Sequence, residues 1–162
     1  MPMPFQMTLT GQTLGAISND CCTMQGRENT ILCQALNHEV YIPRDIQTGL
    51  PTGKRVHNAL TVTKVFDRAS PLLFQALTSG EQMTDVTLDF YKVDEYGKEK
   101  LYYKIKLEKA IIVSIKPWIP NALDPTRDKF THMEDVSFTY SKIIWNNIEK
   151  NTESQDSWQE PK

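Results

Sequence analysis

A period of two in the apolar residues governs most of this chain, and it forces the backbone into sheets with one face buried and the other wet. Met7 and Leu9 alternate with Thr8 and Thr10 in a short first strand that stops at Gly11. Between Leu32 and Ile42 one face holds Leu36, Val40 and Ile42 together with Gln34 and His38. The other holds Ile31, Cys33, Ala35 and Tyr41, so this strand is expected to be covered on both sides. Leu60, Val62 and Phe66 share a face, interleaved with Thr61 and Thr63. Val86, Leu88 and Phe90 alternate with Thr87, Asp89 and Tyr91, and Leu101, Tyr103, Ile105 and Leu107 with Tyr102, Lys104, Lys106 and Glu108. Ile111, Val113 and Ile115 follow, and Val136, Phe138 and Tyr140 close the series among Ser137, Thr139 and Ser141.

The connectors agree with this pattern. Asp94-Glu95-Tyr96-Gly97-Lys98 carries the glycine and acidic residues of a tight hairpin turn. One segment departs from it. Ser70-Pro71 reads as an N-cap followed by proline in the first turn, Leu73, Ala76 and Leu77 recur at helical spacing, and Gly80 supplies a stop. The spacing predicts a short helix over 71–79. Many antiparallel strands with one flanking helix imply a mainly β fold, a barrel or a sandwich. Residues 1–162 read as a single domain with a short polar tail over 147–162, in which Trp158 is expected to dock on the body of the protein or on a neighbour. Two loops are long, Pro43 to Arg55 and Lys116 to His132, and long loops in compact domains often carry function.

Charge narrows the function classes. Lys and Arg total 18 against 20 for Asp and Glu, a net charge of -2, which lacks the electrostatic footprint of a dedicated nucleic-acid binder. An oligonucleotide-binding barrel would need a basic, aromatic strand face, for which only Tyr91, Tyr102, Tyr103, Lys104 and Lys106 offer themselves. No apolar run approaches the roughly 18 residues of a membrane-spanning helix, so no membrane insertion is expected. The N-terminus lacks the basic and apolar regions of a secretory signal, so folding is expected in the cytoplasm and any export by a signal-independent route. Three cysteines, two of them adjacent (Cys21, Cys22, Cys33), do not form a disulfide framework or match a zinc-site spacing, and Cys33 is expected inside.

Catalytic signatures are missing: there is no GxGxxG, GxxxxGK[ST], HExxH or GxSxG. His38, His57 and His132 are far apart, and a hydrolase using His38 or His57 has no nucleophile motif to support it. His38 and Glu39 are strand neighbours that point to opposite faces. Lys54, Arg55 and His57, with Arg44 across the loop, form a small basic cluster suited to phosphate or an acidic partner surface, and Asp45 partly offsets it, which favours a protein contact over nucleic acid. The residues assign no catalytic group, no metal and no cofactor.

The stretch from Gly53 through Arg55, His57, Thr63-Lys64, Asp67, Ser70-Pro71 and Leu73 to Gly80 follows the order G-x-R-x-H, strand, T-K-x-x-D-x-x-S-P-x-L, helix, G. It resembles the haemolysin-coregulated protein (Hcp) family, the tube protein of bacterial type VI secretion systems. His38-Glu39-Val40-Tyr41-Ile42-Pro43, Leu88-Asp89-Phe90-Tyr91-Lys92, the strand from His132 to Trp145 and Asp156-Ser157-Trp158 extend the resemblance along nearly the whole chain. Ala59 and Arg68 depart from residues common in that family, proline and lysine respectively. The resemblance implies an antiparallel β-barrel with one flanking helix, like phage tail tube proteins, assembled as a homohexameric ring. Rings are then expected to stack into a tube that works with spike, sheath and baseplate components, holds small effectors in its lumen, and leaves the cytoplasm without a cleaved signal. It implies ring stacking through the loop after the second strand, here Arg44, Asp45, Gln47, Leu50, Lys54 and Arg55. It implies structural or subunit-interface roles for His57, Thr63, Lys64, Asp67, Ser70, Pro71 and Gly80, with Lys64 and Asp67 either paired to each other or contacting a neighbouring subunit. Roughly 17 residues after Trp145 are too few for the appended toxin domain of some members, so a plain tube subunit is expected.

Overall fold

The computed structural model describes residues 3–158. In chain order the elements are β1 (Phe5–Gly11), β2 (Gly15–Ala16), β3 (Ile31–Asn37), β4 (Val40–Tyr41), β5 (Val56–His57), β6 (Leu60–Val65), α1 (Ser70–Ser79), β7 (Gln82–Val93), β8 (Glu99–Glu108), β9 (Ala110–Trp118), β10 (Met133–Thr139), β11 (Lys142–Asn147) and β12 (Thr152–Ser157). The order β7-β9-β10-β6-β3-β1 returns to β7, closing a six-stranded antiparallel barrel with one helix, as the alternation implied. β7 is long enough to serve two sheets. One edge pairs with β1, while the other pairs with β9 at Gln82 and Met83 and then with β8 from Val86 to Val93. Beyond that fork, β8, β11 and β12 continue as a wing outside the barrel.

Met7, Leu9, Ile31, Cys33, Leu60, Val62, Val86, Leu88, Ile112, Val136 and Phe138 fill the core, and Phe5 stacks on Phe90 at 4.9 Å. α1 lies against β9 and buries Leu73 and Ala76, with Leu77 packed at the margin. Gly80 ends it in the left-handed region (φ 69°), its N–H reaching back to the last turn. The start differs from the sequence reading. Ala69 occupies the cap position and Ser70 is already helical, because the Ser70 hydroxyl is drawn into the barrel interior.

Three further readings also change. The continuous strand expected from Leu32 to Ile42 breaks: a bulge between Cys33 and Ala35 changes the register against β6, and Val40-Tyr41 pair with β5 in a separate small ladder. Leu36, Val40, Tyr41 and Ile42 are therefore exposed. On β9 the buried residues are Ala110 and Ile112, while Ile111 and Val113 face outward, because Lys109 turns the chain at φ 52° between β8 and β9. The polar segment read as a tail contains β12, which pairs with β11 through its whole length; residues 159–162 lie outside the described residues.

Phe66 does not join Leu60 and Val62 on the inner face of β6; Lys64 does, and it is fully buried. Its ammonium bonds Glu134 of β10 directly across the ladder, lies 3.1 Å from Asp67 Oδ1, and donates to Ser70 Oγ (3.2 Å) and the Val65 carbonyl (3.0 Å). Ser70 Oγ donates to Glu134 Oε1 (2.8 Å) and accepts from the Asp67 N–H (3.1 Å). One cation thus ties β6, β10 and the helix start. Removing one partner of such a pair strands the other charge in a dry site. Lys64→Met is expected to cost about 3–5 kcal/mol in urea unfolding, and Lys64→Met with Glu134→Leu to recover most of it. A single variant as stable as the parent would remove the pair from the fold's supports.

Candidate functional site

The loop between β4 and β5 is an ordered finger. Arg44 and Pro51 bridge its two arms, the Asp45 N–H donates to the Leu50 carbonyl (2.9 Å), and the Thr52 N–H to the Pro43 carbonyl (2.8 Å). Asp45 Oδ1 accepts from the Gln47 N–H (2.9 Å), and Gly49 makes the turn at φ 73°. Asp45 thereby serves the loop's own shape. The tip carries Ile46 at 96% and Leu50 at 65% exposure, with Arg44, Gln47 and Lys54 also on the surface. Ile46 has no place in the basic pattern that singled out this loop from sequence.

Arg55 and His57 leave the basic cluster expected there, because both turn inward to one carboxylate on β12. Asp156 Oδ2 accepts from Arg55 Nε (2.5 Å) and His57 Nε2 (2.7 Å), and Arg55 Nη2 donates to the Ser157 carbonyl (2.6 Å). His57 is buried, with Trp158 tilted over its ring at 5.1 Å centroid distance, so the terminal tryptophan does dock on the body of the protein. The other nitrogen, His57 Nδ1, lies 2.7 Å from the Tyr140 hydroxyl, and His38 Nε2 lies 2.8 Å from the same oxygen. His38 is thus not aligned with Glu39 but with a tyrosine a hundred residues away. Burial, and then the neighbouring His57, lower the His38 pKa; burial and Asp156 raise that of Tyr140.

The remaining motif residues sit elsewhere. β6 runs from the His57 end of the barrel to Phe66, so Lys64, Asp67 and Ser70 mark the opposite end, beside the loop that joins β9 to β10. Strand β9 extends to Trp118, so that loop is shorter than expected. It holds a 3-10 turn at Pro125–Arg127 that Asp124 caps through the Thr126 N–H, and exposes Ile119, Leu123 and Phe130. Thr63 faces outward and donates to Asp135 Oδ1 (2.7 Å), which also accepts from Trp118 Nε1 (3.1 Å). Pro71 and Gly80 belong to the helix ends. Of the partners that organise both ends, Glu134 and Tyr140 carried no site signal in the sequence, and Asp156 entered only within the Asp156-Ser157-Trp158 segment of the resemblance. Burial pushes the Cys21 thiol up to about 11 and raises Cys33 further, so both stay protonated at neutral pH.

The shift at His38 fixes the sign of a pH effect. Its folded pKa lies below the unfolded value of about 6.5, so the unfolded chain binds this proton more readily. The contribution of His38 to stability is complete above that unfolded value and falls as pH drops from it toward the folded pKa. The urea midpoint is expected to decrease between pH 7.5 and 5.5, and His38→Gln to reduce that decrease. An unchanged pH dependence in His38→Gln would locate the effect in other groups.

Comparison with known proteins matches this architecture. Residues 13–146 fit the family described as "Type VI secretion system effector, Hcp". The chain is 45% identical to the "Major exported protein" of Pseudomonas aeruginosa over 99% of its own length and 98% of the relative's. It superimposes on a crystal structure of an Hcp protein with a TM-score of 0.92 at 32% identity, covering 98% of this chain and 99% of that one. The secreted protein Hcp3 of Pseudomonas aeruginosa is 39% identical with a TM-score of 0.81, covering 97% and 99%. By its family match, its near full-length identity and its barrel, the chain belongs to the Hcp family of type VI secretion system proteins.

Proposed function

We propose that this chain is a structural subunit of the type VI secretion inner tube, forming hexameric rings that stack into a conduit for effector delivery. The observation that carries this reading is the match to Hcp over 98% of the chain, in a fold whose chemistry is spent on holding the barrel together. Export of the subunit itself is supported by relatives named as an exported and as a secreted protein. Assembly belongs to the bacterial cytoplasm, with spike, sheath and baseplate components as partners and small effectors as cargo. Among the described residues no helix is long and apolar enough to cross a membrane.

Stacking falls to the finger between β4 and β5. Its exposed Ile46 and Leu50, flanked by Arg44, Asp45, Gln47 and Lys54, stand at one end of β6, whereas Ile119, Leu123 and Phe130 are exposed at the other. Apolar surface on opposite ends of one subunit suits a heterologous contact that repeats along an axis without closing. Arg55, drawn inward to Asp156, supports the finger's root rather than its contact. The net charge of -2 per chain lets six copies meet without strong repulsion at physiological salt.

Native mass by size-exclusion chromatography with light scattering is expected to be six times 18.6 kDa. Leu50→Asp is expected to leave that ring intact and to abolish longer assemblies in sedimentation. A monomer at high concentration would overturn the ring, and tubes from Leu50→Asp would overturn the stacking role of the finger.

A further inference from the structure

The three side chains His38, Tyr140 and His57 meet at one hydroxyl, and that hydroxyl has a single proton for two imidazoles. The Asp156 carboxylate fixes the direction of the hydrogen bonds. It can only accept, so His57 Nε2–H donates to it, and neutral His57 then accepts at Nδ1 from the Tyr140 O–H. The Tyr140 oxygen accepts in turn from His38 Nε2–H. A proton bound at His38 Nδ1, on the half-buried residue that opens to solvent, can be carried inward with every bond balanced. The Nε2 proton passes to the Tyr140 oxygen, the tyrosine's own proton passes to His57 Nδ1, and His38 is left neutral as its Nδ1–H tautomer.

His57 is then a cation with both N–H groups satisfied, by Tyr140 and Asp156, and Tyr140 donates outward to His38. A second proton has no such arrangement. Two imidazolium rings would both donate to one phenol oxygen and repel each other across it. Among the described residues, the charged and titratable groups facing His57 are Arg55 beside β5, His38 after β3, Tyr140 after β10 and Asp156 on β12; Trp158 covers its ring. Imidazolium and guanidinium then share one carboxylate oxygen, Asp156 Oδ2. Arg55, at the root of the finger and partly open to water, is the cation that can yield.

We propose that His38, Tyr140 and His57 form a one-proton switch, in which acidification charges the buried His57 and loosens Arg55 from Asp156 at the root of the 43–55 finger. The switch stands on these contacts alone. Its consequence, that acid weakens ring stacking, rests on the stacking role of the finger proposed above.

The test uses exchange at the imidazole C2 position, read by mass spectrometry from pH 8 to 5, which reports the titration of each histidine. His38 and His57 are expected to take up one proton between them. Backbone hydrogen exchange of residues 43–56, corrected for intrinsic rate, is expected to be severalfold faster at pH 5.5 than at 7.5. In Tyr140→Phe the inner N–H of a charged His57 has no acceptor, so His57 is expected to stay neutral to pH 5 and the acid-dependent exchange of the finger to disappear. His38→Ala, at a half-buried position, is the second variant and is expected to reduce the acid effect at least threefold. Full, independent protonation of both histidines, or finger exchange that ignores pH, overturns the switch. Finger exchange is measured on unstacked rings and stacking by sedimentation, so the switch and the stacking reading fail separately.

Discussion

A lysine ammonium inside a barrel is the interaction on which this fold turns. Transferring an unpaired charge into such a site costs several kcal/mol, so Lys64 can be buried only because Glu134 faces it across the β6–β10 ladder and Asp67 and Ser70 arrive from the helix start. The dependence also runs the other way. Ser70 gives up the capping role its sequence context suggests, and the Asp67 carboxylate binds the Ala69 N–H (2.9 Å) to hold the turn in place. Strand β6, strand β10 and the helix start are therefore tied together at this end by one set of charges.

The other end of β6 is closed by a second buried polar group of different character. Here the carboxylate comes from β12, a strand without apolar alternation that adds to the wing by backbone pairing and then delivers Asp156 to Arg55 and His57. The wing is thus fastened to the barrel twice, through the β7–β8 ladder and through this carboxylate. The finger between β4 and β5 grows from that second attachment, which gives an exposed loop a rigid root. Its own hydrogen bonds within 43–52 do the rest, so the tip can present Ile46 and Leu50 to solvent without collapsing onto the barrel.

Much of the barrel was legible in the sequence because alternation records which face is buried wherever the strand is regular. Val62, Val86, Leu88, Ile105, Leu107, Val136 and Phe138 lie where it put them, and Gly80 ends the helix as its freedom at positive φ requires. The misreadings share one cause. A local irregularity of the backbone breaks the alternation, and neither the bulge after Cys33 nor the positive φ at Lys109 leaves a compositional mark. Leu36 and Ile111 were lost that way. The polar groups failed for another reason: Lys64, His57 and Asp156 look like surface residues until their partners, about 70 and 100 positions away, are brought beside them. Family resemblance marked Lys64 and His57 as motif positions, but gave neither Glu134 nor Tyr140 a role.

These two polar ends bear on how a subunit of this kind can assemble. The charges that a sequence reading would spend on neighbours are largely consumed within the chain: Lys64 and Asp67 by each other and Glu134, Arg55 and His57 by Asp156, Arg27 by Glu99 and the ring of Tyr91. Exposed apolar side chains nevertheless stand at both ends, Ile46 and Leu50 on one side and Ile119, Leu123 and Phe130 on the other. Exposed ion pairs contribute little to a contact and are screened by salt, whereas apolar burial is not. Buried charge then sets the rigidity of the two barrel ends, and the stacking contact proposed above falls to apolar side chains on an ordered finger.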